Sequence, residues 1–142
     1  MSDPRSAVST PWHLWVVGGL LFLMNAPAAF GYVATIIRFE PYMANFPEDA
    51  LAYYDAAPLW MYGLWGGSII GGLAGSILLL WRRGLAVPVT AFAWICSVAA
   101  VAYAVANPAP DGGGPLFMAA ILLVALLILF YMRWLQRRGV LR

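Results

Sequence analysis

Apolar residues fill four long stretches of this chain, at residues 14–37, 58–81, 85–106 and 115–132, with polar residues gathered between them. Crossing about 30 Å of hydrocarbon at 1.5 Å per residue takes about 20 residues, and about 17–25 are tolerated. Each stretch is long enough, and none of the ~20-residue cores contains Asp, Glu, Lys or Arg. Backbone groups in lipid must find partners within their own segment, so each stretch is predicted to be a helix. The expected fold is an all-α membrane protein of four transmembrane helices, a single domain over residues 1–142.

The second stretch has a finer pattern. Gly63, Gly67, Gly71 and Gly75 recur at every fourth position, and Ser68, Gly72 and Ser76 form a second small-residue row one step round the helix. Lipid tails are as apolar as leucine, so helices in a bilayer associate by close packing, which small residues permit. Both rows are predicted to be helix-packing surfaces.

Punctuation between the stretches gives the remaining elements. Pro27 lies near the middle of the first stretch, where its missing N–H and its ring predict a kink against Leu23. Asn25 stands beside it, placed to bond a freed carbonyl or a neighbouring helix. Within residues 38–57, Pro47-Glu48-Asp49 reads as a first helical turn with acids at the positive dipole end. A short amphipathic helix on the outer membrane surface is expected there, with Leu51 and Tyr54 sharing a face. Trp81-Arg82-Arg83-Gly84 is so short a turn that the second and third helices must be antiparallel neighbours. Pro88 falls in the first turn of the third helix, where proline costs little. Residues 107–114 hold two prolines and three glycines, an outer turn. Residues 116–130 of the fourth stretch have no polar side chain, and this span is expected to face lipid or a partner subunit.

Composition agrees: 63% of the chain is hydrophobic and 10% charged, against about 25% charged in soluble domains. Charge placement adds orientation. Arg5 precedes the first helix, Arg82 and Arg83 follow the second, and Arg133, Arg137, Arg138 and Arg142 follow the fourth. Glu40, Glu48, Asp49 and Asp55 face Arg38 alone in the first outer segment, and Asp111 lies in the second. The positive-inside rule then places both termini in the cytoplasm. Trp12, Trp15, Trp81, Tyr131 and Trp134 mark the inner boundary, and Tyr53, Tyr54, Trp60, Tyr62 and Tyr103 the outer. The basic tail fixes orientation and could attract anionic headgroups. Arg5, residues 14–24 and Ala26-Pro27-Ala28 imitate a signal peptide. The apolar run continues to Ile37, so the first span is expected to be retained.

Candidate chemistry is sparse. His13 is the single histidine and Cys96 the single cysteine, a small apolar packing residue in mid-span. No metal spacing, P-loop or dinucleotide motif occurs, so no catalytic residue, metal or cofactor is expected, and no enzyme activity. The polar residues within the spans are Asn25, Thr35, Ser68, Ser76, Thr90 and Ser97, with Tyr32 and Trp94 as rings able to stack on a sugar or amphiphile. Asn25, Pro27 and Tyr32 form the candidate midplane polar site. Broken helices mark binding sites in transporters, whereas an interhelical hydrogen bond is the structural alternative. The outer acids could form a vestibule for a cation or a docking surface, or simply be solvated.

Pro11-Trp12-His13-Leu14-Trp15-Val16-Val17-Gly18, Asn25-Ala26 with Ala29, Gly31 and Tyr32, Pro58-Leu59-Trp60, Trp65-Gly66-Gly67, Gly75-Ser76 and Leu78-Leu79-Leu80 before Arg82-Arg83 together carry a resemblance. Over about residues 11–95 the chain resembles a family of small four-span bacterial inner-membrane proteins of unknown function, some of them labelled sugar transporters. The resemblance implies a bacterial inner-membrane location and brings no established active site.

Three functional expectations result. The first is a non-enzymatic accessory or scaffold subunit, packing against itself or a larger membrane complex through the second helix, the fourth or both. The second is a small-solute transporter working as a homo-oligomer, its pathway lined by Asn25, Pro27, Tyr32 and the glycines. The third is a lipid-, quinone- or pigment-binding subunit using Trp60, Tyr62 and Trp65. The lipid bilayer is the one partner common to all three, and no nucleic-acid partner is expected.

Overall fold

The computed structural model describes residues 9–110 and 114–142; Arg5 and Asp111, used above to assign sides, lie outside the described residues. Three helices begin directly after a proline. The ring holds φ at −67°, −67° and −70° at Pro11, Pro47 and Pro58, and brings no N–H needing a partner. In chain order the helices are α1 (Trp12–Ile36), α2 (Glu40–Met43), α3 (Glu48–Ala56), α4 (Leu59–Leu80), α5 (Ala86–Ala106) and α6 (Gly114–Arg137), and no strand occurs among the described residues. α1, α4, α5 and α6 are each long and apolar enough to cross a membrane, as a multi-pass membrane protein requires. α6 runs five residues past its expected end at 132, carrying Arg133 and Arg137 on its last turns. α1 continues through Pro27 without a break.

Three helix ends close in one way. Phe39 N–H bonds Ala34 O at 2.8 Å, Arg83 N–H bonds Leu78 O at 2.8 Å, and Val140 N–H bonds Leu135 O at 3.1 Å. Each bond spans a residue in the left-handed region: Arg38 at φ 51°, Arg82 at 56° and Gly139 at 73°. Arginine in this conformation costs about 1–2 kcal/mol, which the tight reversal into α5 absorbs at Arg82.

The spanning helices pack in the order α1, α4, α5, α6. α4 is the shared element, and its glycines decide how. An added Cβ would lie 2.9 Å from Cys96 Sγ at Gly67 and 2.9 Å from Ala93 Cβ at Gly71, and would collide with Thr90 Oγ1 at Gly75. Those three glycines face α5. Gly66 and Gly72 face α1, against the Tyr32 hydroxyl and Asn25 Oδ1. Gly67, Gly71 and Gly75 of the first row therefore face one neighbour of the same chain, and Gly72 of the second row faces another. Gly63 is the exception, since a Cβ there meets nothing within 4 Å.

The arginine-bearing end is sealed. Leu14, Leu79, Ala86, Val87, Met132, Leu135, Val140 and Leu141 form a buried apolar cluster there. The residues after α6 fold back onto the α4–α5 turn. Arg142 N–H bonds Arg82 O at 2.8 Å, Gly84 N–H bonds Arg142 O at 2.6 Å, and Arg82 Nε donates to Val140 O at 3.4 Å. His13 Nδ1 and the Tyr131 hydroxyl are hydrogen-bonded, tying α1 to α6 at the same end.

The two kinds of glycine separate experimentally. Gly71→Ala forces a methyl against the Ala93 methyl on α5 and is expected to destabilise by about 1–3 kcal/mol. Gly63→Ala is expected to be neutral or stabilising by about 0.5 kcal/mol, because alanine is the better helix former. Thermal unfolding in one detergent reads both changes, and equal losses would refute the asymmetry.

Candidate functional site

Because α1 and α6 stand at opposite ends of the row and join at the arginine end, a gap opens between them. A cavity of about 380 Å³ lies half-way along the helices, lined by all four of them. A second, of about 340 Å³, continues toward the acidic loop and reaches Tyr53, Tyr54 and Tyr103. Ser68, Ser97 and Ile121 line both, so the two form one cleft. Each part falls within the ~300–1,000 Å³ of small-molecule sites, far above a packing void.

The sequence supplies this space through small residues. Ala28 on α1, Gly72 on α4, Ala93 on α5 and Ala125 on α6 leave the middle unfilled, while Ile121, Val124 and Ile128 give α6 an apolar wall. Among the lining polar groups, most are already used locally. Asn25 Nδ2 donates to Leu21 O at 2.8 Å, Ser68 Oγ to Trp65 O at 2.7 Å, and Ser97 Oγ to Ala93 O at 3.0 Å. Trp94 Nε1 donates to Leu122 O at 3.1 Å and so ties α5 to α6 across the cleft wall. The expected bond from Asn25 to the carbonyl freed by Pro27 is not the one formed, since Leu21 rather than Leu23 accepts. Thr90 Oγ1 is buried without a hydrogen-bond partner. It occupies the space that a Cβ at Gly75 would need.

An aromatic cluster roofs the far end. Tyr54 stacks on Trp65 with centroids 5.9 Å apart, and Tyr32 meets Trp65 edge-on at 5.1 Å. Tyr62 Oη donates to Tyr54 O at 2.6 Å, and Tyr32 Oη to Tyr62 O at 3.1 Å. α3 is thereby held over α4. α2 is held on α1, where Tyr42 meets Phe30 edge-on at 5.8 Å and its hydroxyl fills the space beside Gly31. Arg38 and Asp55 form an ion pair across the loop, both largely exposed, which contributes at most about 1 kcal/mol. Burial pushes the Tyr54 phenol above its ordinary 10.0, and the neighbouring Tyr42, Tyr53 and Tyr62 phenols raise it further.

The candidate residues thus separate. Asn25, Ser68, Gly72, Thr90, Trp94 and Ser97 come together on the cleft. Pro27 and Tyr32 line neither cavity, so the expected trio reduces to Asn25. Trp65 reaches the upper cavity, whereas Trp60 pairs with Tyr103 at 5.2 Å. None of Glu40, Glu48, Asp49 and Asp55 lines the cleft, so these four do not form an acidic vestibule on it. Ser76 is buried and donates to Leu73 O at 2.7 Å. Among the described residues, no three of His, Cys, Asp and Glu come together as a metal site would require. Sequence reasoning missed the His13–Tyr131 tie and the Val140–Leu141 plug. The plug has a signal: two apolar residues after a glycine in an otherwise basic tail.

Comparison with protein-family models, with curated proteins and with solved structures finds no match, so fold and cleft are read from this chain alone.

The raised Tyr54 phenol gives a pH expectation. A folded value above the unfolded one stabilises fully below about pH 10, and this stability is lost as pH rises through the folded value. Tyr54→Phe removes the ionisation while the backbone acceptor for Tyr62 stays in place. It is expected to flatten the fall of melting temperature above pH 10; an unchanged fall would show that Tyr54 does not titrate against burial.

Proposed function

We propose that the chain is a non-catalytic bacterial inner-membrane protein that binds an apolar or weakly amphiphilic small molecule, of lipid or quinone class, between α1, α4, α5 and α6. One observation carries this reading: the cleft runs from the tyrosine roof to Asn25 and is closed at the arginine end. Its walls are apolar, with hydroxyl and amide groups at mid-height. Among the described residues, no Asp, Glu, His, Lys or Arg lines it, which favours binding over chemistry. The gap between α1 and α6 gives a molecule dissolved in the bilayer a lateral way in. An apolar body would lie along Ile121, Val124 and Ile128, and a polar end near Tyr53, Tyr54 and Tyr103.

The positive-inside rule puts the sealed end in the cytoplasm, so the cleft runs from the middle of the membrane toward its outer face. The two termini then lie inside, and the resemblance noted from the sequence points to the bacterial inner membrane.

Transport in a homo-oligomer is the second reading. It is favoured by a polar mid-height band in a cleft closed on one side, as one state of an alternating-access carrier requires. The scaffold reading loses most of its strongest surface, because Gly66, Gly67, Gly71, Gly72 and Gly75 are occupied by α1 and α5. α6 remains for such contacts.

Gently solubilised protein is expected to carry a solvent-extractable apolar molecule visible by native mass spectrometry. Ala125→Phe fills the cleft from α6 and should lower retention by about tenfold, equivalent to about 1.4 kcal/mol, with melting temperature preserved. Ligand-free wild-type protein, or full retention in the variant, would sink the proposal. For orientation, Arg83→Cys in intact cells should react with a membrane-impermeant maleimide only after the membrane is opened.

A further inference from the structure

A second feature lies outside the cleft, on the lipid-facing side of α6. Phe130, Arg133, Trp134 and Arg137 fall three and four residues apart on one helical face and enclose a groove of about 290 Å³. The Arg138 guanidinium lies 4.2 Å from the Trp134 ring centroid, which brings a third cation to the same indole. None of these three arginines has a carboxylate partner among the described residues. The described acids, Glu40, Glu48, Asp49 and Asp55, all belong to the segment between α1 and α4 at the opposite end. Among the described residues, three guanidiniums thus gather with no carboxylate to neutralise them.

The face leading into the groove is apolar and uncovered. Leu123, Leu127 and Phe130 continue the same helical stripe and are 57%, 58% and 60% exposed. An exposed hydrocarbon stripe ending in paired cations has the charge and polarity order of one lipid molecule. Guanidinium forks match phosphate oxygens bidentately, which a diffuse attraction to the surface would not require.

We infer that this groove is a binding site for an anionic phospholipid. The phosphodiester would be held by Arg133 and Arg137, its glycerol region would lie against Trp134, and one acyl chain would follow Phe130, Leu127 and Leu123. Arg138 keeps the indole in place and adds to the positive potential. The occupant is a membrane lipid rather than a free anion, because only a lipid covers the stripe as well as the charges. This site is independent of the cleft ligand proposed above, and either can fail alone.

The test uses full-length protein in neutral detergent, with lipids added as mixed micelles and counted by native mass spectrometry. Wild type should retain phosphatidylglycerol or cardiolipin in preference to phosphatidylethanolamine. With about fivefold in affinity for each arginine near the surface, R133Q/R137Q should weaken the anionic lipid by about 25-fold and leave phosphatidylethanolamine unchanged. R83Q removes an exposed arginine at the same end of the molecule but off the groove, and should keep the preference. Millimolar inorganic phosphate should not displace the lipid. Four results would overturn the inference: no headgroup preference in wild type, an undiminished preference in R133Q/R137Q, an equal loss in R83Q, or displacement by inorganic phosphate. Equal melting temperatures of the variants would confirm that each reading is made on folded protein.

Discussion

Close backbone approach along α4 holds this molecule together. In lipid there is no hydrophobic gain from pressing one apolar helix on another, so contact must come from dispersion at short range and from hydrogen bonds. Glycine removes the side chain that would keep the helices apart. Gly67, Gly71 and Gly75 admit α5, and Gly66 and Gly72 admit α1. One helix thus serves as an axle for two neighbours. The same choice sets the limit of the packing: α6 contacts α5 but has no glycine-lined partner, and α1 and α6 stay apart over most of their length.

That separation is the origin of the cleft. A four-helix bundle packed tightly on every side has no central space. Here tight contact is confined to two interfaces and to the arginine end, where Leu14, Leu79, Met132 and Leu135 are fully buried. Elsewhere alanine and serine line the walls. The Trp94–Leu122 bond holds α6 on α5 without closing the gap. The aromatic cluster supports the other end through Tyr54, Trp65 and two tyrosine hydroxyl bonds to carbonyls. Stability and open space are therefore segregated along the axis of the molecule.

The spanning helices were legible because hydropathy responds to lipid thickness, and their ends fall close to the expected residues. α6 is the instructive exception. Hydropathy marks where hydrocarbon ends, whereas the helix continues through Arg133 to Arg137 because its backbone bonds need no apolar side chains. Gly67, Gly71, Gly72 and Gly75 stand at close helix contacts, Gly63 does not, and the sequence pattern names no partner for any of them. A small residue specifies distance and leaves the identity of the neighbour open, so a self-association surface and an internal one read alike. Of the midplane trio, Asn25 reaches the cleft because it lies on the α1 face turned to Gly72. Tyr32, seven residues on, is drawn to the Tyr62 carbonyl and Gly66. The cleft itself was invisible, since a cavity is a relation among four helices and no residue pattern encodes it.

The fold-back of Val140 and Leu141 has a consequence for biogenesis. These residues are synthesised after every spanning helix, yet they complete the cluster containing Leu14, Leu79 and Ala86. Until the ribosome has delivered them, the nascent protein has its helices but lacks its stopper. Insertion and sealing are thus two events in time, and the arginine-bearing mouth of the newly inserted chain stays unplugged between them.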